Sequence, residues 1–262
     1  MDHICIEDLE VYAYHGLYKE EVNLGQKFLI SVKMYFDASK AGRCDNLTYS
    51  VDYAKVCSDI TKWMKDNRCR LIETVAERLA SKLLTELPAV REVEVTVKKP
   101  WAPIGLPLEC VSIVITRKWH TVYLSIGSNM GDRKKYLQDG TEYLKKNEKV
   151  RVLKVSSFIE TKPYGKVDQD DFLNGAVKIE TLLDPYELLD LVHEAEDAAK
   201  RVRTEHWGPR TLDIDILLYD DLVMDSEDLT IPHYDMMNRD FVLDPLREIM
   251  SDWRRIIYPG CP

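Results

Sequence analysis

The sequence has no cysteine pair at C-x-x-C spacing, no glycine–serine linker and no excess of positive charge. It also has no apolar run near the roughly 20 residues that cross a bilayer. Each absence removes a class of protein. The six cysteines (Cys5, Cys44, Cys57, Cys69, Cys110 and Cys261) are too scattered for a zinc site or a disulfide frame, so reduced thiols are expected. Without a long apolar run, or a charged-apolar-small segment after Met1, neither a membrane partner nor a secretory leader is expected, and the location expected is cytoplasmic. A net charge of −9 argues against nucleic acid as the main partner. Internal repeats and low-complexity segments are missing too.

What is present is the composition of an ordinary globular protein. The 262 residues are 45% hydrophobic and 31% charged, enough for one large or two small domains at about 150 residues each. Charge divides the chain: up to Lys118 there are 17 basic and 17 acidic side chains, so the whole excess of −9 falls after it. That asymmetry sets a boundary near Lys118–His120 and expected domains of 1–118 and 119–262, held close because no linker separates them. Inside the acidic half, Arg201, Arg203 and Arg210 sit within ten residues. Such a cluster suits a bound anion, and equally suits pairing with carboxylates such as Glu205 and Asp213.

Periodicity gives the elements. Residues 26–36 alternate, with Phe28, Ile30, Val32, Met34 and Phe36 on one face, the pattern of a half-buried strand. Residues 52–67 and 71–87 instead place Val56, Ile60, Trp63 and Met64, then Val75, Leu79 and Leu83, at helical spacing, with Pro88 closing the second helix. Strands are predicted over 90–97 and 111–116, joined by a loop that Pro100, Pro103, Gly105 and Pro107 fix. The first half is thus ββααββ. The second predicts a strand at 122–126, a helix at 132–146, strands at 150–158 and 173–180, a helix at 185–200 and a strand at 212–218. This βαββαβ order is that of a ferredoxin-like α/β sandwich, making the fold class α+β in two domains.

The strongest motif is R-V-R-T-E-H-W-G-P-R-T-L-D-I-D-I, residues 201–216. Asp213 and Asp215 are two apart on a predicted strand, so both leave one face of it. Carboxylates so placed can hold one or two Mg²⁺ ions whose other positions go to phosphate oxygens and water. The three arginines can take phosphate charge. A solvated strand edge is the plainer alternative, weakened because the strand is otherwise apolar.

With L-S-I-G-S-N-M-G-D (124–132), D-F-L-N-G-A-V (171–177) and I-P-H-Y-D-M-M-N-R-D-F-V-L-D-P-L (231–246), this half resembles the 6-hydroxymethyl-7,8-dihydropterin pyrophosphokinases of folate biosynthesis. The resemblance implies ATP as co-substrate and transfer of a diphosphate to the pterin hydroxymethyl group, leaving AMP. It implies that Asp213 and Asp215 hold two Mg²⁺ ions, and that Arg201, Arg203 and Arg210 contact phosphates and act catalytically. His193, Glu196, His233, Tyr234 and Arg239 would lie along the ATP, and Trp207 would shape the arginine loop beside it. Phe172 and Phe241 would sandwich the pterin ring, Asn174 would bond its edge, and Thr161 and Tyr164 belong to the stretch closing over it.

The first half carries quieter pieces: Y-A-Y-H-G (12–16), Glu20-Glu21, L-G-Q (24–26), V-D-Y (51–53), L-I-E-T-V-A-E-R (71–78) and K-K-P-W-A-P-I (98–104). Singly, His15 beside Gly16 is a turn and Glu73 a surface helix residue. A glutamate, a tyrosine and a lysine at element ends also make a possible proton-transfer set. Together the pieces are similar to dihydroneopterin aldolase, a tunnelling-fold family that cleaves a carbon–carbon bond without a metal, a cofactor or a lysine Schiff base. The resemblance implies Lys99 as general acid/base, Glu21 assisting, Tyr53 managing the proton of the enol, and Glu73 anchoring the pterin with the backbone of Ile72 and Val51. Lys98 and Lys99 are adjacent and only one can face the pocket. Lys99, directly before Pro100, is the choice.

The resemblances predict two consecutive reactions on pterins: release of glycolaldehyde, then diphosphate transfer. They also predict a homo-oligomer, tetramer or octamer, with sites between subunits of the first half. A pterin epimerase joined to the kinase is one alternative, and an inactive pterin- and nucleotide-binding scaffold is another.

Overall fold

The computed structural model describes residues 1–163, 169–199 and 210–251. The chain divides into two compact units, Met1–Trp119 and His120–Pro262.

The first unit is built from β1 (His3–Ala13), α1 (Lys19–Leu24), β2 (Gln26–Tyr35), α2 (Ser39–Cys44), α3 (Tyr53–Asp66), α4 (Ile72–Glu86), β3 (Glu92–Lys99) and β4 (Val111–Lys118). The strands form one antiparallel sheet in sequence order. Alternation along them sends Val11, Phe28, Ile30, Val32, Met34, Val93, Val95 and Val97 to one face, all buried. Over that face lie α3, through Val56, Ile60 and Met64, and α4, through Val75, Leu79 and Leu83. Each large apolar side chain sealed there contributes about 1.5–3 kcal/mol. Asp52 caps α3, its carboxylate accepting from the Lys55 N–H.

The second unit runs β5 (His120–Ser128), α5 (Arg133–Lys145), β6 (Val150–Val155), β7 (Ile159–Thr161), β8 (Phe172–Thr181), α6 (Pro185–Ala198), β9 (Asp213–Tyr219), β10 (Met224–Asp225), β11 (Thr230–Ile231) and α7 (Asp240–Ile249). Its main sheet has the order β6-β8-β5-β9, with β7 added beside β8, and β10 and β11 form a separate hairpin. Asp184 caps α6 by accepting from Tyr186 and Glu187 N–H, with Pro185 at the first helical position. Val122, Leu124 and Ile126 face the layer of α5 and α6. Tyr123, Ala176 and Leu217 face α7, through Val242, Leu243 and Leu246.

The ββααββ and βαββαβ orders are both present, around short additions the periodicity did not reveal. The most consequential is α7, which carries Pro245 in its interior. No helix among the described residues is long and apolar enough to cross a membrane.

Candidate functional site

In the second unit one face of the sheet gathers the polar residues. Gly127 on β5 pairs with Asn174 on β8 and with Asp213 on β9. Ser125 likewise pairs with Ala176 and Asp215. Asn174, Gly127 and Asp213 therefore form one cross-strand row, its outer members about 10 Å apart. The face is the one α7 covers, and Phe241 packs into the same layer. Asn174 donates from Nδ2 to Thr161 Oγ1 at 2.7 Å. A Cβ on Gly127 would stand 2.7 Å from Asn174 Oδ1, so glycine is what gives that amide room.

Asp213 pairs with Arg210, and Asp215 accepts from Ser125 Oγ at 3.3 Å. Burial, then the neighbouring Asp213 charge, pushes the Asp215 pKa above the ordinary carboxylate value. Two crowded carboxylates of this kind suit a divalent, oxygen-preferring cation. Among the described residues no group of three His, Cys, Asp or Glu side chains makes a closed metal cage. Asp213 and Asp215 offer such an ion carboxylate oxygens only, the donor type that hard divalent cations take.

Beside this row a cavity of about 310 Å³ runs along edge strand β9, lined by His193, Glu196, Arg210, Asp215, His233 and Tyr234 among others. An edge strand leaves backbone groups needing partners. Glu196 Oε1 accepts from the Ile214 N–H at 2.9 Å, and the His233 N–H donates to Leu217 C=O at 3.0 Å. His233 stacks on Tyr234, centroids 4.8 Å apart. Burial lowers the His233 pKa, against the pull of the Asp215 charge. Arg239 bonds Asp235 at 2.8 Å and lies over the Phe241 ring. Tyr164, Arg201, Arg203 and Trp207 lie outside the described residues.

Asn129 was not singled out from the sequence, where it reads as part of a turn. It is 2% exposed, its Oδ1 accepts from the Arg210 N–H at 2.7 Å, and its own N–H donates to Arg210 C=O at 3.1 Å. Its Nδ2 donates to Gln169 Oε1 at 3.0 Å. One side chain thus ties the end of β5 to Arg210 and to the start of the segment leading into β8.

In the first unit Lys99, at the end of β3, forms a buried ion pair with Glu21. The six-residue α1 places that glutamate. Its Oε2 accepts from the Leu17 and Tyr18 N–H groups, both at 3.0 Å, and its Oε1 from Gln26 Nε2 at 3.1 Å and from Lys99. Burial works to raise the Glu21 pKa, but the bonds from Lys99, Tyr18 and Gln26 outweigh it and hold the carboxyl below its ordinary value. Lys98 leaves the opposite face of β3 and pairs with Asp8 at 2.8 Å.

The remaining aldolase-like residues fall into two places. Ile72 and Glu73 head α4. The Gly16 N–H donates to Cys69 C=O at 3.0 Å, which sets them near the Glu21 loop. Val51 and Tyr53 head α3. That end lies against the far end of α4, since Asp52, Leu83, Glu86 and Leu87 line one small cavity. The length of α4 therefore separates Tyr53 from Glu73 by about 20 Å within one chain. Tyr53 is 60% exposed.

Comparison with known proteins agrees with this division. The family model for 7,8-dihydro-6-hydroxymethylpterin-pyrophosphokinase matches residues 123–251, and that for dihydroneopterin aldolase matches residues 4–116. The pyrophosphokinase of Haemophilus influenzae is 45% identical over 50% of this chain and 82% of its own length. The bifunctional protein FolKE of Lactococcus lactis is 53% identical over 50% of this chain. The folic acid synthesis protein FOL1 of Dictyostelium discoideum is 32% identical over 97% of this chain. This chain spans 38% of the FolKE relative's length and 42% of the FOL1 relative's.

Proposed function

We propose that this chain, which belongs to the 7,8-dihydro-6-hydroxymethylpterin-pyrophosphokinase family and carries a dihydroneopterin aldolase domain ahead of that one, catalyses two consecutive steps of folate biosynthesis. The first unit cleaves 7,8-dihydroneopterin to glycolaldehyde and 6-hydroxymethyl-7,8-dihydropterin. The second moves a diphosphate from ATP onto the hydroxymethyl oxygen, leaving AMP.

For the second step the supporting observation is the Asn174–Gly127–Asp213 row. It sets an amide able to bond a pterin edge and a carboxylate able to bind metal on one face, two strands apart. Phe172 and Phe241 would flank the ring. Asp213 and Asp215 would hold Mg²⁺, which supplies positive charge against the triphosphate when bound. Arg210, Arg201 and Arg203 would stabilise charge on the transferring group. His193, Glu196, His233, Tyr234, Arg239 and Trp207 would line the ATP.

For the first step it is the Lys99–Glu21 pair. A retro-aldol cleavage removes a hydroxyl proton from the side chain, releases an aldehyde, and leaves an enol to be reprotonated on carbon. Lys99 is the group to carry those protons, through a water. Each Glu21 oxygen already receives two donors, so Glu21 acts by holding Lys99 rather than by taking a proton itself. Glu73 would fix the pterin's amino-pyrimidine edge, with the backbone of Ile72 and Val51, and Tyr53 would protect the enol. Because one chain holds Tyr53 about 20 Å from Glu73, the site is completed by a second copy, in a homo-oligomer.

Purified protein given dihydroneopterin, ATP and Mg²⁺ is expected to yield glycolaldehyde, AMP and a pterin diphosphate. If no AMP forms even from supplied 6-hydroxymethyl-7,8-dihydropterin, the kinase reading fails. An epimer without glycolaldehyde would make the first unit an epimerase.

A further inference from the structure

His15 belongs to neither group of reacting residues, yet it is 1% exposed, among the most buried polar side chains described. Its ring stacks on Trp63, centroids 6.2 Å apart, and meets Phe28 edge-on at 5.5 Å. Its Nδ1 accepts the Cys69 N–H at 3.0 Å. The following Gly16 N–H donates to the Cys69 C=O, also at 3.0 Å. Cys69 is therefore gripped by both of its backbone polar groups.

An accepting Nδ1 requires a neutral ring with its proton on Nε2. Burial keeps the imidazole neutral, lowering its pKa to about 4. The buried Nε2 is left without a hydrogen-bond partner among the described residues. For packing alone a phenylalanine would serve better, since it would leave no half-satisfied donor buried. The grip on Cys69 is what the histidine adds.

Both sides of that grip lead to the proposed aldolase groups. A Cβ on Gly16 would lie 2.5 Å from Glu21 Oε2, so the carboxylate that holds Lys99 rests against this backbone. From Cys69 the chain reaches Ile72 and Glu73 within one turn of α4. We propose that His15 is a positioning residue for the aldolase step, its Nδ1 fixing the spacing between the Lys99–Glu21 pair and the pterin-anchoring Glu73. This rests on the aldolase reading of the first unit.

The test uses the full chain. His15→Phe keeps a ring between Trp63 and Phe28 and removes the acceptor, whereas His15→Asn restores an acceptor near the Nδ1 position. His15→Phe is expected to raise KM for dihydroneopterin about tenfold, with the pH dependence of kcat unmoved and the kinase rate unchanged. His15→Asn should recover most of the loss. Exchange of the Cys69 amide hydrogen should quicken in His15→Phe and slow again in His15→Asn. If the phenylalanine variant does not fold, His15→Leu replaces it, likewise apolar and without an acceptor, and the same contrast with His15→Asn is expected. Equal behaviour of acceptor-bearing and acceptor-lacking variants, or a shifted pH profile, overturns the proposal. An unaltered chain that releases no glycolaldehyde overturns the aldolase reading and the proposal with it. An active one indifferent to His15 overturns the proposal alone.

Discussion

Lys98 and Lys99 are consecutive on β3 and leave it on opposite faces, Lys99 toward the buried Glu21 and Lys98 toward the half-exposed Asp8. The two look interchangeable in the sequence, but a strand's period of two separates their surroundings completely.

Lys99→Ala should lower glycolaldehyde release by about 10²–10⁴-fold, the range lost with a general acid/base, while Lys98→Ala stays within about twofold. Single-turnover assays on both variants decide the matter. The reverse ranking would exchange their roles.

Tyr53 and Glu73 lie at opposite ends of the helical layer, so separate defects in them should complement. Tyr53→Ala and Glu73→Ala chains are each expected to be nearly inactive as aldolases. Unfolded together and refolded as mixed oligomers, they should regain about a quarter of the wild-type sites, by random pairing of halves. No recovery in oligomers shown to contain both chains would place the two residues in one chain's site.

Gly127→Ala forces the Asn174 amide to move, because the new methyl would stand 2.7 Å from its Oδ1. The Asn174–Thr161 bond should break, and KM for 6-hydroxymethyl-7,8-dihydropterin should rise about tenfold or more, with aldolase activity unaffected. An unchanged KM would remove Asn174 from the pterin site.

Chelating Mg²⁺ should abolish AMP formation and leave glycolaldehyde release intact. Mg²⁺ should also raise the melting temperature of the second unit, since it relieves the crowding of Asp213 and Asp215. Asp215→Asn should lose both effects, and an Asp215→Asn kinase of wild-type rate would count against the metal assignment.

His15 is neutral when folded, with a pKa near 4 against an ordinary 6.5. Its contribution to stability is therefore full above about pH 6.5 and is lost as pH falls toward 4, where the unfolded chain takes up the proton first. The amount is on the order of 3 kcal/mol. Urea midpoints of the first unit should fall across that window, and fall less in His15→Phe. A His15 titration midpoint above 6 by NMR would contradict this.

Much of the fold was legible because alternation and helical spacing are strong where one face is buried, as in Phe28–Ile30–Val32–Met34 or Val75–Leu79–Leu83. That Lys98 and Lys99 leave opposite faces was legible too, and Lys99 shares the parity of the buried Val93, Val95 and Val97. The helix α7 was hidden by Pro245, which marks a helix boundary more often than an interior. Asn129 was hidden because its partners, Arg210 and Gln169, are 81 and 40 residues away in the chain. The separation of Tyr53 from Glu73 was hidden because spacing along the chain does not reveal which helix ends meet.

That separation has a quantitative consequence. On the proposed reading, every group of the kinase step lies in one chain, so AMP output from supplied 6-hydroxymethyl-7,8-dihydropterin scales linearly with protein concentration. The aldolase site needs two chains, so glycolaldehyde output falls faster than linearly once dilution dissociates the assembly. The ratio of the two products per chain is then an internal gauge of assembly. Any condition that loosens the oligomer starves the second reaction of its substrate while leaving the second active site fully competent.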